Sequence, residues 1–391
     1  WEKGMDSTLL LPRVLRVGAG ARHEIGEVLQ SLGLSRPFLV VDEFLKGQGH
    51  ADALEQALRD KGMALRVFSG VVPDPTTDSI DAGLDLLKGG EHDAIIALGG
   101  GSAIDTAKFI AVMATREGKL RNYKVPATLD SGLPGIAIPS TAGTGSEATR
   151  AAVATDSETQ EKMLCMGLGL MPVAALVDFE LSMTMPYRLT ADAGLDSLCH
   201  ALEAYVSRKA NPFTDPIALS CMRSIVEHLP IACAEPDNRA AREAMMLAAT
   251  QGGIAFSNAS VTLIHGMSRP IGAHFHVPHG LSNAMLLPEV TAWSVPGAPE
   301  RYADSARAMG YAAQSDNTEM AVAKLVSGLR QLCADLNVPS PAEFGIGEAD
   351  WTSLMSLMAD QALASGSPAN NPRVPEREDI IGLYEKVWVA S

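Results

Sequence analysis

An aspartate and a histidine lie four residues apart in an apolar stretch of the chain, AGLDSLCHALEAYV. On an α-helix, residues four positions apart share one face, so the side chains of Asp196 and His200 can point at the same place. A carboxylate and an imidazole arranged in this way form either a buried ion pair or part of a metal site. Further ligands elsewhere in the chain are needed to distinguish the two.

Four of the nine histidines are concentrated in one later segment, LIHGMSRPIGAHFHVPHG. They are His265, His274, His276 and His279. Any one of them alone could equally be an ordinary core or surface residue. Together with Asp196 and His200, however, one carboxylate and three imidazoles could surround a divalent cation. This mixed oxygen and nitrogen set suits Fe(II), Zn(II), Mn(II) or Co(II).

Two glycine-rich loops each follow a predicted strand. In AIIALGGGSAIDTAK, three glycines separate a buried strand from a helix that we expect to begin at Ser102 and to be capped by it. Such a loop lets the backbone approach a phosphate, and the helix N-terminus offers free N–H groups. The dinucleotide fingerprint is incomplete because Ile104 replaces its third glycine, and an ordinary turn is the alternative. The second loop, PSTAGTGSEAT, suits a ribose, a phosphate or an amide, so the pair predicts a nucleotide site.

Asp42 directly follows the strand predicted at residues 37–41. An acid at this place can bind both hydroxyls of an adenosine ribose and repel a 2′-phosphate, which favours NAD over NADP. A surface aspartate that starts a turn is the alternative. Because Asp42 precedes the glycine loop, the reverse of the usual order, we expect a nucleotide domain that is not a standard Rossmann fold.

Strand and helix patterns alternate in the first half of the chain, and helical patterns alone follow Pro186. The strands are predicted at 37–41, 64–68, 94–98, 135–138 and 174–177, with helices at 54–61, 80–87 and 102–115. The later helices are predicted at 189–208, 216–228, 239–252, 318–336 and 351–364. This order predicts a parallel-sheet α/β domain, residues 5–187, and an all-α domain, residues 188–391. Their junction is short, so we expect the ligand site in a cleft between them.

The composition argues against several functional classes. A formal charge of −15, with no run of basic residues, argues against a nucleic-acid surface. Five scattered cysteines without a C-x-x-C pair indicate reduced thiols. With no apolar run of about 18 residues and no signal peptide, we expect a cytoplasmic protein without a membrane partner. The opening WEKG, before Met5, resembles an added expression sequence.

Four motifs together resemble the iron-dependent (group III) alcohol dehydrogenase family. They are GGGSAIDTAK, TAGTGSEAT, the Asp-x-x-x-His of AGLDSLCHALEAYVS, and HGMSRPIGAHFHVPHGLSNAMLLP, in order over nearly the whole chain. The resemblance implies an N-terminal dinucleotide-binding α/β domain and a C-terminal helical, metal-binding domain. It further implies a homo-oligomer, a small alcohol or aldehyde substrate, a cofactor that is NAD rather than NADP, and Fe2+, with Zn2+ or another divalent metal as the alternative.

The resemblance also implies roles for individual residues. The metal ligands would be Asp196, His200, His265 and His279. The cofactor pyrophosphate would lie on Gly99, Gly100, Gly101 and Ser102, with Asp105 near the nicotinamide-side ribose. Further cofactor contacts would come from Asp42, Thr141, Thr144, Thr149 and Lys162. Phe256 matches a hydrophobic wall of the substrate pocket.

One position departs from the family pattern. The family often has a second histidine one turn after His265, viewed as a possible proton carrier, and here that position is Arg269. Arginine stays protonated near neutral pH, which leaves a water at the cation, a ribose hydroxyl or His276 to carry the proton. Arg269 could instead bind a substrate carboxylate or phosphonate, which would favour an ω-hydroxy acid and its semialdehyde. A structural ion pair is the alternative.

The expected chemistry is hydride transfer from an alcohol to C4 of the nicotinamide, with a divalent cation lowering the pKa of the alcohol. Two other enzymes remain open. One is a hydroxyacid–oxoacid transhydrogenase that keeps its nicotinamide bound. The other is a lyase similar to dehydroquinate synthase, which would need more basic residues near the metal than Arg269. A non-catalytic nucleotide-binding protein is a further alternative.

Overall fold

The structure, a computed structural model, describes residues 8–389, with side chains up to Trp388. Two expectations, that WEKG is an added sequence and that the first domain starts at residue 5, lie outside this range. The chain divides into two compact units, Leu9–Thr184 and a second unit that begins at Met185. We call them the α/β unit and the helical unit.

The described part of the α/β unit contains eight strands and five α-helices. The strands are β1 (Val14–Val17), β2 (Pro37–Val41), β3 (Arg66–Phe68), β4 (Ala94–Gly99), β5 (Gly135–Pro139), β6 (Ala151–Thr155), β7 (Lys162–Met166) and β8 (Ala174–Val177). The helices are α1 (Ile25–Ser31), α2 (Glu43–Gly47), α3 (His50–Arg59), α4 (Thr77–Lys88) and α5 (Gly101–Met113).

Six strands form a parallel sheet in the order β1-β8-β5-β4-β2-β3, and β6 pairs with β7 in a separate antiparallel hairpin. Side chains alternate between the two faces of the sheet, so both faces are apolar along β2. Phe38 and Val40 belong to the core shared with α4 and α5, whereas Leu39 and Val41 belong to the core shared with α1 and α3. The continuous apolar runs of the sequence are therefore strands covered by helices on both sides.

The five predicted strands are all present, as β2, β3, β4, β5 and β8. β1 and the β6–β7 hairpin were not predicted. β1 lies at the edge of the sheet and three of its four residues are exposed, so its sequence, VLRV, does not read as a buried run. β6 and β7 are buried at alternate residues only, and the alanines of β6 have low strand propensity.

None of the described residues of the helical unit lies in a strand, and these residues form nine α-helices. They are α6 (Tyr187–Val206), α7 (Thr214–Ala234), α8 (Arg239–Asn258), α9 (Leu263–Phe275), α10 (His279–Ser294), α11 (Pro299–Ala308), α12 (Thr318–Asp335), α13 (Glu348–Ala364) and α14 (Arg377–Val389). This confirms the predicted all-α character of the second half. α6, α7 and α8 pack against one another, and the five cysteines of the chain are free and buried.

Among the described helices, α7 alone is long and apolar enough to cross a membrane by length and composition. A core helix of a globular protein passes the same test. α7 packs against α6, α8 and α11 and carries Arg223 and Glu227, as a core helix with one polar side does. The helix therefore gives no reason to place the chain in a membrane.

The expectation that Ser102 caps α5 is wrong. The helix begins at Gly101, with Gly100 at the N-cap position and no side-chain cap among the described residues. Because glycine has no side chain, the first N–H groups of α5 are left to other partners. An N-terminus of this kind attracts an anion more strongly than one already capped by a hydroxyl.

A buried lysine on α5 joins the two glycine-rich loops. Lys108 Nζ donates to Ser146 Oγ and Thr149 Oγ1, each at 2.9 Å, and to the carbonyl of Ala151 at 2.8 Å. Ser146 Oγ in turn donates to Asp105 Oδ1 at 2.7 Å. Burial lowers the pKa of Lys108 to about 8, against the opposing charges of Asp105 and Glu147. The second loop is therefore held against α5 by one amine.

We expect Lys108→Met to lower the free energy of unfolding by about 2–4 kcal/mol, because several buried acceptors lose their donor. The loss should grow with pH. The pKa of Lys108 is lowered to about 8 in the folded state and is higher in the unfolded chain. Between these two pKa values the unfolded state binds more protons, so the stability of the wild type increases as the pH rises. Denaturant unfolding at about pH 7 and about pH 9.5 measures both effects.

Lys88→Met is the control for the Lys108 variant, since Lys88 is exposed at the end of α4. It should change neither the stability nor its pH dependence. A difference between wild type and Lys108→Met that stays constant across the two pH values would contradict the assigned burial of the charge.

Candidate metal centre and nucleotide loops

The predicted nucleotide residues lie at the carboxyl ends of neighbouring strands. β4 lies between β2 and β5 in the sheet. The strand that follows β2 in the chain, β3, lies on one side of this pair, and the strand that follows β4, β5, lies on the other. Such a point, where successive connections leave in opposite directions, is where open α/β sheets bind ligands. Asp42 follows β2, Gly100 follows β4, and the second glycine-rich loop follows β5.

Asp42 and Gly99 lie side by side at this edge. Asp42 caps α2, its Oδ1 accepting from the backbone N–H of Leu45 at 2.8 Å. A Cβ added to Gly99 would lie only 3.1 Å from Asp42 Oδ2 and only 2.5 Å from Ala103 Cβ. Gly99 also has φ +153°, which disfavours other residues. The acid and the glycine loop are thus brought together despite their reversed order in the sequence.

The two glycine-rich loops are in close contact. A Cβ on Gly100 would lie 3.2 Å from Thr141 Cγ2, and a Cβ on Gly101 would lie 2.8 Å from Thr144 Cγ2. The absence of side chains at these two glycines is what allows the threonines to approach the start of α5. The structure therefore places four of the predicted cofactor residues in one surface at the helix N-terminus.

The other predicted cofactor residues are held by protein partners. Asp105 accepts from the N–H of Val153 at 2.9 Å as well as from Ser146, and burial raises its pKa despite the nearby Lys108. Thr149 belongs to the Lys108 network. Lys162 begins β7 and pairs with Asp74 at 2.8 Å. Their predicted cofactor contacts stay predictions.

The four predicted metal ligands converge from three helices. Asp196 and His200 lie one turn apart on α6, His265 is in the first turn of α9, and His279 is the first residue of α10. Asp196 Oδ1 lies 3.4 Å from His265 Nε2 and 3.8 Å from Nε2 of both His200 and His279. Ligand atoms of Asp196, His265 and His279 all lie within 4.8 Å of one another.

The electrostatics of this cluster are set by burial and mutual attraction. Asp196 is buried, which by itself would raise its pKa, but His200, His279 and His265 hold the pKa well below its usual range. Burial likewise lowers the pKa of His265, but the carboxylates of Glu203 and Asp196 outweigh this and raise the pKa to about 9. The site therefore favours a positive charge next to the Asp196 carboxylate.

Two buried neighbours of the ligands were not predicted. Glu203 on α6 accepts a hydrogen bond from His265 Nδ1, and Asn283 on α10 donates through Nδ2 to Asp196 Oδ1 at 2.7 Å. Glu203 lies seven residues after Asp196, so helical periodicity alone could have placed it on the same face. Asn283 lies four residues after His279 and carries the same signal.

The remaining candidates lie at different distances from the cluster. Phe256, near the end of α8, stacks on His200 with 4.3 Å between ring centroids. His274 contacts Gln361 at 2.8 Å instead of the ligands. His276 is exposed after the end of α9, about 16 Å along the helix axis from His265 at 1.5 Å per residue. Its predicted role in proton transfer stays a prediction.

Arg269 lies one turn after His265 on α9 and donates to Ser367 Oγ at 3.0 Å. Burial lowers its pKa, an effect that the negative charge of Glu203 partly offsets. Within residues 8–388 no carboxylate forms a direct ion pair with it, and both interpretations of this arginine stay predictions.

The donor set fits a divalent transition metal. One carboxylate oxygen and three imidazole nitrogens are the mixture that Fe(II) and Zn(II) accept. A hydrogen bond to the other ring nitrogen of a histidine ligand, as made by Glu203, is the usual support of such a centre. Asn283 Nδ2 lies among the ligand atoms themselves, 2.7 Å from Asp196 Oδ1, 3.2 Å from His265 Nε2 and 3.4 Å from His279 Nε2.

Comparisons with known proteins agree with this interpretation. Residues 12–179 match the model of iron-containing alcohol dehydrogenases, and residues 190–388 match the C-terminal model of the Fe-containing alcohol dehydrogenase family. The NAD-dependent methanol dehydrogenase of Bacillus methanolicus is 34% identical over 97% of this chain and 99% of its own length.

Two solved structures are similar over almost the whole length. A 1,3-propanediol oxidoreductase has 34% identity and a TM-score of 0.94, covering 98% of this chain and 100% of its own. The sulfoacetaldehyde reductase of Bifidobacterium kashiwanohense, solved with NAD+, has 27% identity and a TM-score of 0.89, covering 99% and 100%. Together with the glycine loops and the four converging ligands, these matches show that the chain belongs to the iron-containing (group III) alcohol dehydrogenase family.

Proposed function

We propose that this enzyme interconverts a primary alcohol and its aldehyde by hydride transfer to and from NAD, with Fe2+ as its metal and Zn2+ or another divalent ion as the alternative. The observation that carries the proposal is the convergence of Asp196, His200, His265 and His279 on one point of the helical unit. The enzyme acts on small molecules, as a cytoplasmic homo-oligomer. Membranes and nucleic acids are not among its partners.

The helical unit supplies the reactive centre. A divalent metal held by the four ligands supplies a Lewis acid that lowers the pKa of an alcohol and polarises an aldehyde carbonyl. The chain fixes the direction of His265 through Glu203, and Phe256 provides an apolar wall beside His200. Asp196, His200 and His265 are buried, which strengthens the electrostatic interactions among them. His279, by contrast, is exposed on the side where a substrate can approach.

The α/β unit supplies the cofactor surface. Gly100 and Gly101 let the backbone at the start of α5 approach a pyrophosphate, with Thr141 and Thr144 beside them. In this proposal Asp42, next to Gly99, accepts from the hydroxyls of the adenosine ribose, and its charge opposes the additional phosphate of NADP. These features support NAD as the preferred cofactor.

The favoured substrates are alcohols with a negatively charged far end, such as ω-hydroxy acids and their semialdehydes. Arg269 supports this because this charged residue is half-buried, one turn from His265, without a direct carboxylate partner in the described part of the chain. A substrate anion would compensate that charge. By its name, the similar sulfoacetaldehyde reductase acts on an anionic aldehyde.

No described feature specifically favours the transhydrogenase or the lyase. A dehydroquinate-synthase-like site would bind a phosphate through several basic residues, whereas the side chains seen to contact Asp196, His200 and His265 include Asn283, Phe256 and Glu203, none of which is basic. A dehydrogenase with dissociable NAD is therefore the function that the site supports best.

The first prediction concerns the metal. Protein stripped of metal with a chelator should not reduce NAD with any alcohol. Anaerobic addition of Fe2+ or Zn2+ should restore the reaction, followed by the absorbance of reduced nicotinamide. His200→Ala should lose stoichiometric metal and turnover together. Turnover that persists without metal, or its absence in fully loaded protein with NAD bound, would contradict the dehydrogenase.

The second prediction concerns cofactor choice. Asp42→Ser keeps a hydroxyl to cap α2 but removes the negative charge, so kcat/KM for NADP relative to NAD should rise at least about tenfold, equivalent to 1.4 kcal/mol. Asp52→Ser, on the exposed side of α3, is the matched control. An unchanged ratio in Asp42→Ser would show that Asp42 does not contact the ribose.

The third prediction concerns Arg269. Arg269→Ala should raise KM for ω-hydroxy acids by about 30-fold or more, because a buried charge pair contributes about 2 kcal/mol, while KM for neutral alcohols of similar length changes little. Arg208→Ala is the control, since Arg208 also contacts the segment around Ser367 but is exposed. Equal effects of Arg269→Ala on both substrate classes would overturn the acidic preference and leave the dehydrogenase intact.

A further inference from the structure

Three functional side chains follow one face of α6. Asp196, His200 and Glu203 are spaced by four and three residues, which is the periodicity of a single helical face. Glu203 is 1% exposed and is not one of the four predicted ligands. A buried carboxylate costs several kcal/mol unless it is fully hydrogen-bonded, so its partners show what it does.

One oxygen of Glu203 caps α9. Its Oε1 accepts from Thr262 Oγ1 at 2.8 Å and from the backbone N–H groups of Ile264 and His265 at 2.7 Å and 3.3 Å. The first N–H groups of a helix have no partner within the helix. The residue at the N-cap position of α9 is Thr262, and its side chain does not accept from any of them in the described structure. Glu203 therefore takes the place of a local cap, and its negative charge suits the positive end of the helix.

The other oxygen of Glu203 binds the imidazole of His265. Oε2 accepts from Nδ1, which fixes the proton of a neutral imidazole on that nitrogen. The lone pair is then on Nε2, the atom that lies 3.4 Å from Asp196 Oδ1 within the ligand cluster. The same carboxylate thus holds the backbone that carries His265 and selects the ring nitrogen that faces the metal.

We propose that Glu203 is a positioning residue that sets metal affinity by fixing the tautomer and direction of His265, in addition to capping α9. The inference rests on the metal centre of the proposed function but not on the reaction. Glu203 thus has two roles, one for each of its carboxylate oxygens. A purely structural cap would stabilise α9 without any effect on the ligand.

The two roles can be separated by substitution. In Glu203→Gln the amide oxygen can still accept from Thr262 and Ile264, but the amide nitrogen then faces His265 Nδ1. Because an amide N–H is a donor, His265 must present a lone pair at Nδ1 and carry its proton on Nε2. The cap is retained and the ligand atom is blocked.

Thr262→Val is the matched control. It removes one hydrogen bond to Oε1 at a site that is 1% exposed and leaves the contact between Oε2 and Nδ1 in place. This variant should lower the melting temperature of metal-free protein while leaving the metal affinity within about twofold of wild type.

The experiment is a Zn2+ titration of metal-stripped protein against a chromophoric chelator, together with thermal unfolding of the metal-free form. Glu203→Gln should weaken Zn2+ binding about 10- to 100-fold, the usual effect of losing such a hydrogen bond. Thr262→Val keeps the contact between Oε2 and Nδ1 and should bind Zn2+ like wild type, and thermal unfolding checks that both variants fold without metal. If Glu203→Gln does not fold, Glu203→Asp, whose carboxylate is one methylene shorter, should show the same weakening.

Wild-type affinity in Glu203→Gln, or equal weakening in Glu203→Gln and Thr262→Val, would overturn the inference. Wild-type protein that does not bind Zn2+ would overturn it together with the metal centre. Since turnover is not measured, protein that binds Zn2+ but oxidises no alcohol would contradict only the proposed function.

Discussion

The burial of one negative charge, on Asp196, organises the helical unit. A carboxylate that is removed from water must be compensated, and here three imidazoles and the amide of Asn283 surround it. Those groups come from α6, α9 and α10, so the requirement of a single oxygen atom brings three helices to one point. Glu203 is a second buried carboxylate on the same helix, and it accepts from both the backbone N–H and the ring Nδ1 of His265.

In the α/β unit the main constraint is access to backbone N–H groups at the start of α5. A pyrophosphate needs backbone N–H groups that side chains would obstruct, and glycines at the end of β4 remove the obstruction. The adjacent strands in the sheet are distant in sequence, which is why Asp42 reaches Gly99 although it precedes it in the chain. Lys108 holds the second loop against α5 through the hydroxyls of Ser146 and Thr149, so a buried amine contributes to the shape of this surface.

Features that depend on local periodicity could be predicted from the sequence. The covered strands, the helices of the second half and the pairing of Asp196 with His200 all follow from spacings within about one turn or one strand. The edge strand β1, the Lys108 network and the cap that Glu203 supplies to α9 depend on tertiary neighbours. The capping assignment to Ser102 failed for this reason, because the start of α5 is determined by a glycine turn and not by the nearest hydroxyl.

The near-complete burial of α6 restricts how this chain can vary between species. From Gly194 to Val206 every residue of the helix is buried, so no side of it is free to rotate towards solvent. Inserting or deleting one residue between Asp196 and Glu203 would turn the following part by about 100° and direct ligands into packed neighbours. Relatives can therefore differ in residue type along this segment, but its length is fixed by geometry, and an alignment gap there would mark a chain that has lost the centre.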